Sequence, residues 1–280
     1  MKVVECVPNF SEGRNQETLS AIGTAIAGHA HLRDQTADVD HNRSVFTFTG
    51  DPGAVVDAAI AAIRIAAERI DLTSQAGVHP RIGAADVVPF VPLEGITLDE
   101  CATLARGAGK RIWDELGIPV YLYEAAALRP ECVRLENIRK HVSTLPPDFG
   151  THPHPTAGSC VAGARKFLIA WNINLRTADL IAARAIANDI REAKGGLRSV
   201  KALGLPLDSR GQAQVSINLV DFEVTPLHVV FEAVAALCRA RGIEIAGSEL
   251  IGMIPAAALA ASEGHDLKWE NLTPARILTL

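Results

Sequence analysis

The stretch Gly77-Val78-His79-Pro80-Arg81-Ile82-Gly83 holds a histidine between two glycines, just ahead of the apolar run Val87-Val88-Pro89-Phe90-Val91. Proline fixes its own φ and pushes the residue before it towards extended backbone. Gly77 and Gly83 permit close backbone approach or a positive φ on either side. An imidazole on such a stiff loop, at the edge of a strand, is placed to give and take a proton, because its unperturbed pKa is ~6.5. The same pattern equally fits a turn histidine that only hydrogen-bonds a carbonyl. A second group, His152-Pro153-His154, could face a metal ion, with His41, His79 and Cys160 completing its shell. Its spacing matches no tight zinc signature. A metal-dependent hydrolase and a non-catalytic ligand-binding protein therefore stand as alternatives to acid/base catalysis. Gly107-Ala108-Gly109-Lys110 lacks the spacing of a phosphate loop, and neither GxSxG nor GxGxxG occurs.

These residues need elements to position them. Val3 to Phe10 reads as a buried first strand, followed by a helix from about Gln16 to Gly28 with Leu19, Ile22 and Ile26 on one face. Leu32 to Asp40 and Ser44 to Gly50 read as strands, the second alternating through Val45-Phe46-Thr47-Phe48-Thr49. Asp51-Pro52 is an N-cap followed by proline at the first helical position, and Val56, Ile60, Ile63, Ala67 and Ile70 then form one apolar stripe. Thr97 and Glu100 have capping-box spacing ahead of a further helix with Cys101, Leu104, Ala108, Ile112 and Leu116 inward. Pro119 to Tyr123 is a strand. From Glu124 to about Gly163 periodicity fails, apart from a short helix around Arg134 to His141, and the segment reads as a linker or functional loop.

The second half repeats the pattern. Phe167 to Leu175 is a strand. Thr177 caps a helix with Ile181, Ile186 and Ile190 inward. Val200 to Pro206 and Val215 to Val224 are strands, and Thr225-Pro226 opens a helix with Leu227, Val230, Val234 and Leu237 inward. Ile243 to Ile245 and Leu250 to Ile254 follow. Each half thus runs strand, helix, two strands, helix, strand. The expectation is an α/β (α+β) protein of two ferredoxin-like βαββαβ subdomains, 1–163 and 164–280, whose facing sheets leave a ligand cleft.

Composition bounds the partners. The 280 residues carry a formal charge of −5, which gives no basic footprint for nucleic acid. Five scattered cysteines without a CxxC fit a reducing compartment better than a disulfide framework. The N-terminus shows no leader pattern, and no apolar run approaches the ~20 residues of a membrane span. The expected setting is cytoplasmic, away from membranes.

VECVPNFSEGRNQE, DHNRSVFTFTGDP, HPRIGAADVVPFVPLEGITLDEC, LGIPVYLYEAA, PDFG, GARKFLIAWNINL, QVSINLVDFEVTPLHVVFE and GSELIGMIP occur in this order across nearly the whole chain. Together they resemble glutamate formimidoyltransferase, the transferase half of formiminotransferase-cyclodeaminase. The resemblance implies a folate tunnel between two α/β sheets, commonly in a homodimer. It also implies transfer of the formimino group from N-formimino-L-glutamate to N5 of tetrahydrofolate, with no metal. The histidine of the family's HPR motif falls on His79 as general acid/base. The folate-contacting segment falls on Gly150, Thr151, His152, Pro153, His154, Pro155, Thr156, Ala157 and Gly158. Asn9, Asn42, Asn172, Asn174, Gln214 and Asn218 lie on or beside strands that could face the tunnel and hydrogen-bond the pterin. Arg43, Arg81 and Arg165 are candidates to hold substrate carboxylates. For each amide and arginine, a strand-end hydrogen bond or a structural ion pair is the competing role. The family carries glutamate where Val78 stands here, which removes a charge beside the acid/base.

Overall fold

Strand alternation and two well-capped helices set the first half. The computed structural model describes residues 1–279 and divides into compact units Met1–Lys166 and Phe167–Leu280. The first unit runs β1 (Val3–Cys6), β2 (Asn9–Phe10), α1 (Gln16–Ala27), β3 (His31–Asp38), β4 (Arg43–Gly50), α2 (Pro52–Arg69), β5 (Ala85–Glu94), α3 (Leu98–Leu116), β6 (Val120–Glu124), α4 (Leu135–His141) and β7 (Cys160–Ala164). The expected first strand is two: Pro8, which has no N–H to give a ladder, separates β1 from β2. Both still pair with β4 and β5, so the sheet reads β3, β4, then β1 with β2, β5, β7, β6. Asp51 Oδ1 accepts from Gly53 and Ala54 N–H at the start of α2, and the Thr97–Glu100 capping box closes the start of α3.

One face of this sheet is covered by helices. Val4, Cys6, Phe46, Phe48, Val88 and Phe90 join Leu19, Ile22 and Ile26 of α1, Ile60 and Ile63 of α2, and Ala108 and Ile112 of α3 in one core. Each large apolar side chain buried there contributes ~1.5–3 kcal/mol. On the other face, Val87, Tyr121, Tyr123 and Val161 pack with Cys132 and with Ile138 of α4, and the Tyr121 hydroxyl donates to Leu145 O at 2.9 Å.

The segment from Glu124 to about Gly163 holds the expected short helix, α4, and also β7, which was not expected. Cys160-Val-Ala-Gly-Ala164 enters the sheet between β5 and β6, parallel to both. Its residues are small, so the sequence shows no apolar run, yet the strand is buried throughout.

The second unit runs β8 (Ile169–Leu175), α5 (Leu180–Ile190), β9 (Val200–Leu207), β10 (Gln212–Leu219), α6 (Leu227–Arg239), β11 (Ile245–Ile251), β12 (Ile254–Pro255), α7 (Ala256–Ala260) and β13 (Ile277–Leu278). Four strands form an antiparallel sheet in the order β11-β8-β10-β9, and β12 pairs with β13. Trp171, Ile173, Val215 and Ile217 share a core with Ile186 of α5 and with Val230 and Val234 of α6.

Several boundaries differ from expectation. Asp179, not Thr177, caps α5, and Thr177 Oγ1 accepts from Asp179 N–H instead. Ile181, in the first turn of α5, is 80% exposed rather than inward. Thr225 does not cap α6, because its hydroxyl donates to Arg198 O. Strand β10 ends at Leu219 rather than Val224, and the two short final strands expected around Ile245 and Leu250 are the single β11. Among the described residues no helix is long and apolar enough to cross a membrane.

Candidate active site

Three turns of the first unit converge on His79. Ser11, past the end of β2, donates across to the loop before β5: its N–H to Ala84 O at 2.8 Å and its hydroxyl to Gly83 O at 2.7 Å. The corner at residues 39–42 joins next. Asn42, at φ 45° and buried, accepts from Gly13 N–H at 2.9 Å, and its Nδ2 donates to Ala76 O at 3.1 Å and to Gln75 Oε1. Arg81 then clips the histidine loop to that corner, donating to Asn42 O at 2.9 Å and His41 O at 2.5 Å. The approach is so close that a Cβ on Gly77 would lie 2.3 Å from His41 O, and one on Gly83 2.0 Å from Ser159 O. Glu12 braces the assembly. Burial would raise its pKa, but N–H groups of Asn15 and Arg14 and the Gln75 amide outweigh that and hold it below the ordinary value.

The segment Gly150 to Gly158 meets the same loop. His154 and Gly158 exchange two backbone bonds, of 2.8 and 3.0 Å. Ala84 N–H donates to Ala157 O at 2.9 Å and Ser159 N–H to Ile82 O at 2.9 Å, so the turn lies along residues 82–84. Within it, His154 Nδ1 accepts from Ala157 N–H at 3.1 Å. Thr151, His152, Pro153 and Pro155 are exposed. Among the described residues no three His, Cys, Asp or Glu side chains cluster as a metal shell, and burial pushes the Cys160 thiol far up.

Beneath His79 lies a charged group that residue types alone did not reveal. Asp86 is fully buried; its Oδ2 lies 2.8 Å from Arg43 Nη1 and 2.5 Å from Arg139 Nη2 of α4, and its Oδ1 accepts from Ile82 N–H at 2.8 Å. Burial alone would raise the Asp86 pKa, but the two guanidiniums bring it down to about 2. Two cations against one anion leave a buried excess of positive charge. Desolvation and the fields of Arg43 and Arg139 push the His79 pKa well below the ordinary imidazole value, against a smaller opposing effect of Asp86. His79 Nδ1 lies 2.9 Å from Pro80 O. A carbonyl only accepts, so Nδ1 carries the proton and Nε2 the lone pair. The half-buried ring is thus a neutral base with a defined tautomer, its centroid 5.9 Å from that of the buried His41.

The other expected residues divide. Asn9 Oδ1 accepts from Arg43 Nε at 3.1 Å and its Nδ2 donates to Val7 O, so Asn9 positions Arg43. Arg43, Arg81 and Asn42 are committed to protein partners rather than left open to a ligand. Arg165 donates to Lys166 O at 3.0 Å. In the second unit Asn172, Asn174 and Gln214 are buried on the sheet face opposite the helices, while Asn218 is exposed. Gln214 Nε2 donates to Asn174 Oδ1 at 3.1 Å, which leaves Asn174 Nδ2 and Gln214 Oε1 without partners. Sequence reasoning missed Asp86, Arg139 and Glu12. The first two are brought to His79 only by long-range packing, whereas Glu12, three residues before the cap Asn15, was visible as a turn-bracing carboxylate.

A neutral histidine on a glycine-flanked loop, over a buried cluster of two arginines and one aspartate, is an arrangement able to exchange a proton. Residues 3–165 match the formiminotransferase domain, N-terminal subdomain, and residues 170–274 the formiminotransferase domain. Glutamate formimidoyltransferase of Streptococcus pyogenes is 44% identical over 272 residues, covering 92% of this chain and 91% of that one. Glutamate formimidoyltransferase of Thermoplasma acidophilum is 43% identical over 273 residues, covering 92% and 90%. Formimidoyltransferase-cyclodeaminase of Sus scrofa is 43% identical over 290 residues, which are 97% of this chain and 53% of that one. The chain belongs to the formiminotransferase family.

Proposed function

We propose that this chain transfers the formimino group from N-formimino-L-glutamate to N5 of tetrahydrofolate, giving 5-formiminotetrahydrofolate and L-glutamate, with His79 as the acid/base. N5 attacks the formimino carbon to form a tetrahedral adduct. Nε2 of His79 takes the proton that N5 sheds and returns it to the glutamate nitrogen, which leaves as the amine. A positioned group of this kind contributes ~10²–10⁴-fold. The observation that carries the reading is the neutral imidazole with Nδ1 tied to Pro80 O, so that Nε2 is the basic atom. Anionic substrates arriving at the site would offset the field of Arg43 and Arg139 and raise the imidazole's affinity for the proton as the adduct forms.

The strand order β11-β8-β10-β9, and the matching order β5, β1 with β2, β4, β3, support reading both units as ferredoxin-like. We read polar side chains on the first sheet's face away from α1, α2 and α3, and on the second sheet's face away from α5 and α6, as folate contacts. In the same reading tetrahydrofolate is a co-substrate, 150–158 borders its site, and the enzyme works as a cytoplasmic homodimer. The test is His79→Gln. Turnover of formiminoglutamate with tetrahydrofolate should fall by ~10²-fold or more, with circular dichroism and melting unchanged. Turnover within a few-fold of the parent would defeat the assignment.

A further inference from the structure

The face of the first sheet opposite α1, α2 and α3 carries a carboxylate that the chemistry at His79 does not use. Glu5 alternates with Val4 and Cys6, both of which belong to the helix-side core, so its side chain lies on the opposite face. It is 1% exposed, and neither Oε1 nor Oε2 has a hydrogen-bond partner. Thr49 of β4 and Val91 of β5 stand opposite it in register. Thr47, on the same face as Thr49, is also buried with its hydroxyl unpartnered. Among charged groups, Arg165 reaches Glu5 with its field. Burial raises the Glu5 pKa, Arg165 opposes this, and the balance sits at about 7. The adjacent Cys6 thiol is pushed up well out of range and stays neutral. Burying a carboxylate without donors is costly, and such groups concentrate where a ligand supplies the missing partners.

We propose that Glu5 is the subsite for the aminopyrimidinone edge of the pterin, its two oxygens accepting the parallel N–H donors of ring N3 and the 2-amino group. The unpartnered Thr47 hydroxyl on the same face adds a polar contact to that subsite. This assignment rests on the folate reading above and adds to it the group that selects for an amino-substituted ring. Two adjacent N–H donors match the spacing of one carboxylate, and they favour its ionised form.

The test is calorimetric titration of the full chain with 5-formyltetrahydrofolate at pH 7, in two buffers of different ionisation enthalpy. Since Glu5 rests at about 7, binding should release about half a proton from it. In Glu5→Gln that release should vanish and affinity should fall by ~10–100-fold. Taking the difference between the two chains cancels any proton acquired by His79. A 2-desamino analogue, titrated into the parent chain, should bind ~10–100-fold more weakly, which tests the contact even if the variant does not fold. Unchanged affinity and proton count in Glu5→Gln, or full affinity for the desamino analogue, would overturn the subsite and leave the folate reading standing. No binding of 5-formyltetrahydrofolate to the parent chain would overturn both.

Discussion

Replacing Asp86 by Asn removes the anion that holds Arg43 and Arg139 in the interior. The folded pKa of about 2 against an ordinary 3.8 is a shift of nearly two units. At 1.36 kcal/mol per unit the ionised carboxylate contributes about 2.5 kcal/mol to stability. Breaking a buried pair so that charges stay behind costs ~3–5 kcal/mol, so the loss at pH 7 should lie between about 2.5 and 5 kcal/mol. Because the folded pKa is the lower one, the contribution is complete above about pH 4 and is lost as pH falls through about 2; at pH 3 it should be roughly halved. Guanidinium unfolding of parent and variant, followed by circular dichroism at pH 7 and pH 3, measures both values. Arg139→Met, which leaves the Arg43–Asp86 pair intact, should cost less than Asp86→Asn. A difference below ~0.5 kcal/mol at pH 7 would refute the reasoning, since that is the range of ordinary surface substitutions. So would a difference that stays constant down to pH 3.

Other consequences are open to direct measurement. The acidic limb of kcat/KM should lie below pH ~6.5, the unperturbed imidazole value, and Arg139→Met should move it to higher pH by removing one of the cations that depress His79; a limb that does not move would detach Arg139 from the imidazole. Gly77→Ala places a methyl group 2.3 Å from His41 O. It should lower kcat/KM while the melting temperature of the core stays nearly unchanged, read by kinetics alongside calorimetry. Thr97→Ala removes the hydroxyl that accepts from Glu100 N–H at the start of α3, while the Thr97 N–H keeps its bond to Glu100 Oε2; it should cost ~1 kcal/mol with activity unchanged, measured by denaturant unfolding and steady-state assay.

The features legible in the sequence are those set by local chemistry. Pro80 and the two glycines announced a rigid histidine loop, Asp51-Pro52 and Thr97–Glu100 announced helix starts, and alternation announced β4 with its two phenylalanines inward. What was hidden depended on distance. Arg43, Asp86 and Arg139 come from a strand start, a strand after a loop, and a short helix, and nothing local marks them as one cluster. Arg81 and Asn42 have the residue types of ligand contacts, yet both turn inwards to satisfy backbone groups. Strand β7 escaped because its residues are small. Glu5 was visible only as a charge in an apolar strand, since alternation gives the face but not the burial. Ile181 fitted an inward stripe that the true cap at Asp179 rotates into solvent.

Strand β7 also sets an order of assembly. Strands β5 and β6 cannot pair with each other directly, because the slot between them is filled by residues 160–164, which the ribosome makes only after the whole 125–159 excursion. Until that late, non-local segment docks, Gly83 has no Gly158 to bridge and the histidine loop lacks one of its walls. Contacts of long sequence separation form slowly. The histidine loop should therefore be among the last parts of the first unit to gain hydrogen-exchange protection during refolding. A fragment ending before residue 160 would leave two apolar strand edges unpaired, which is the condition that favours aggregation.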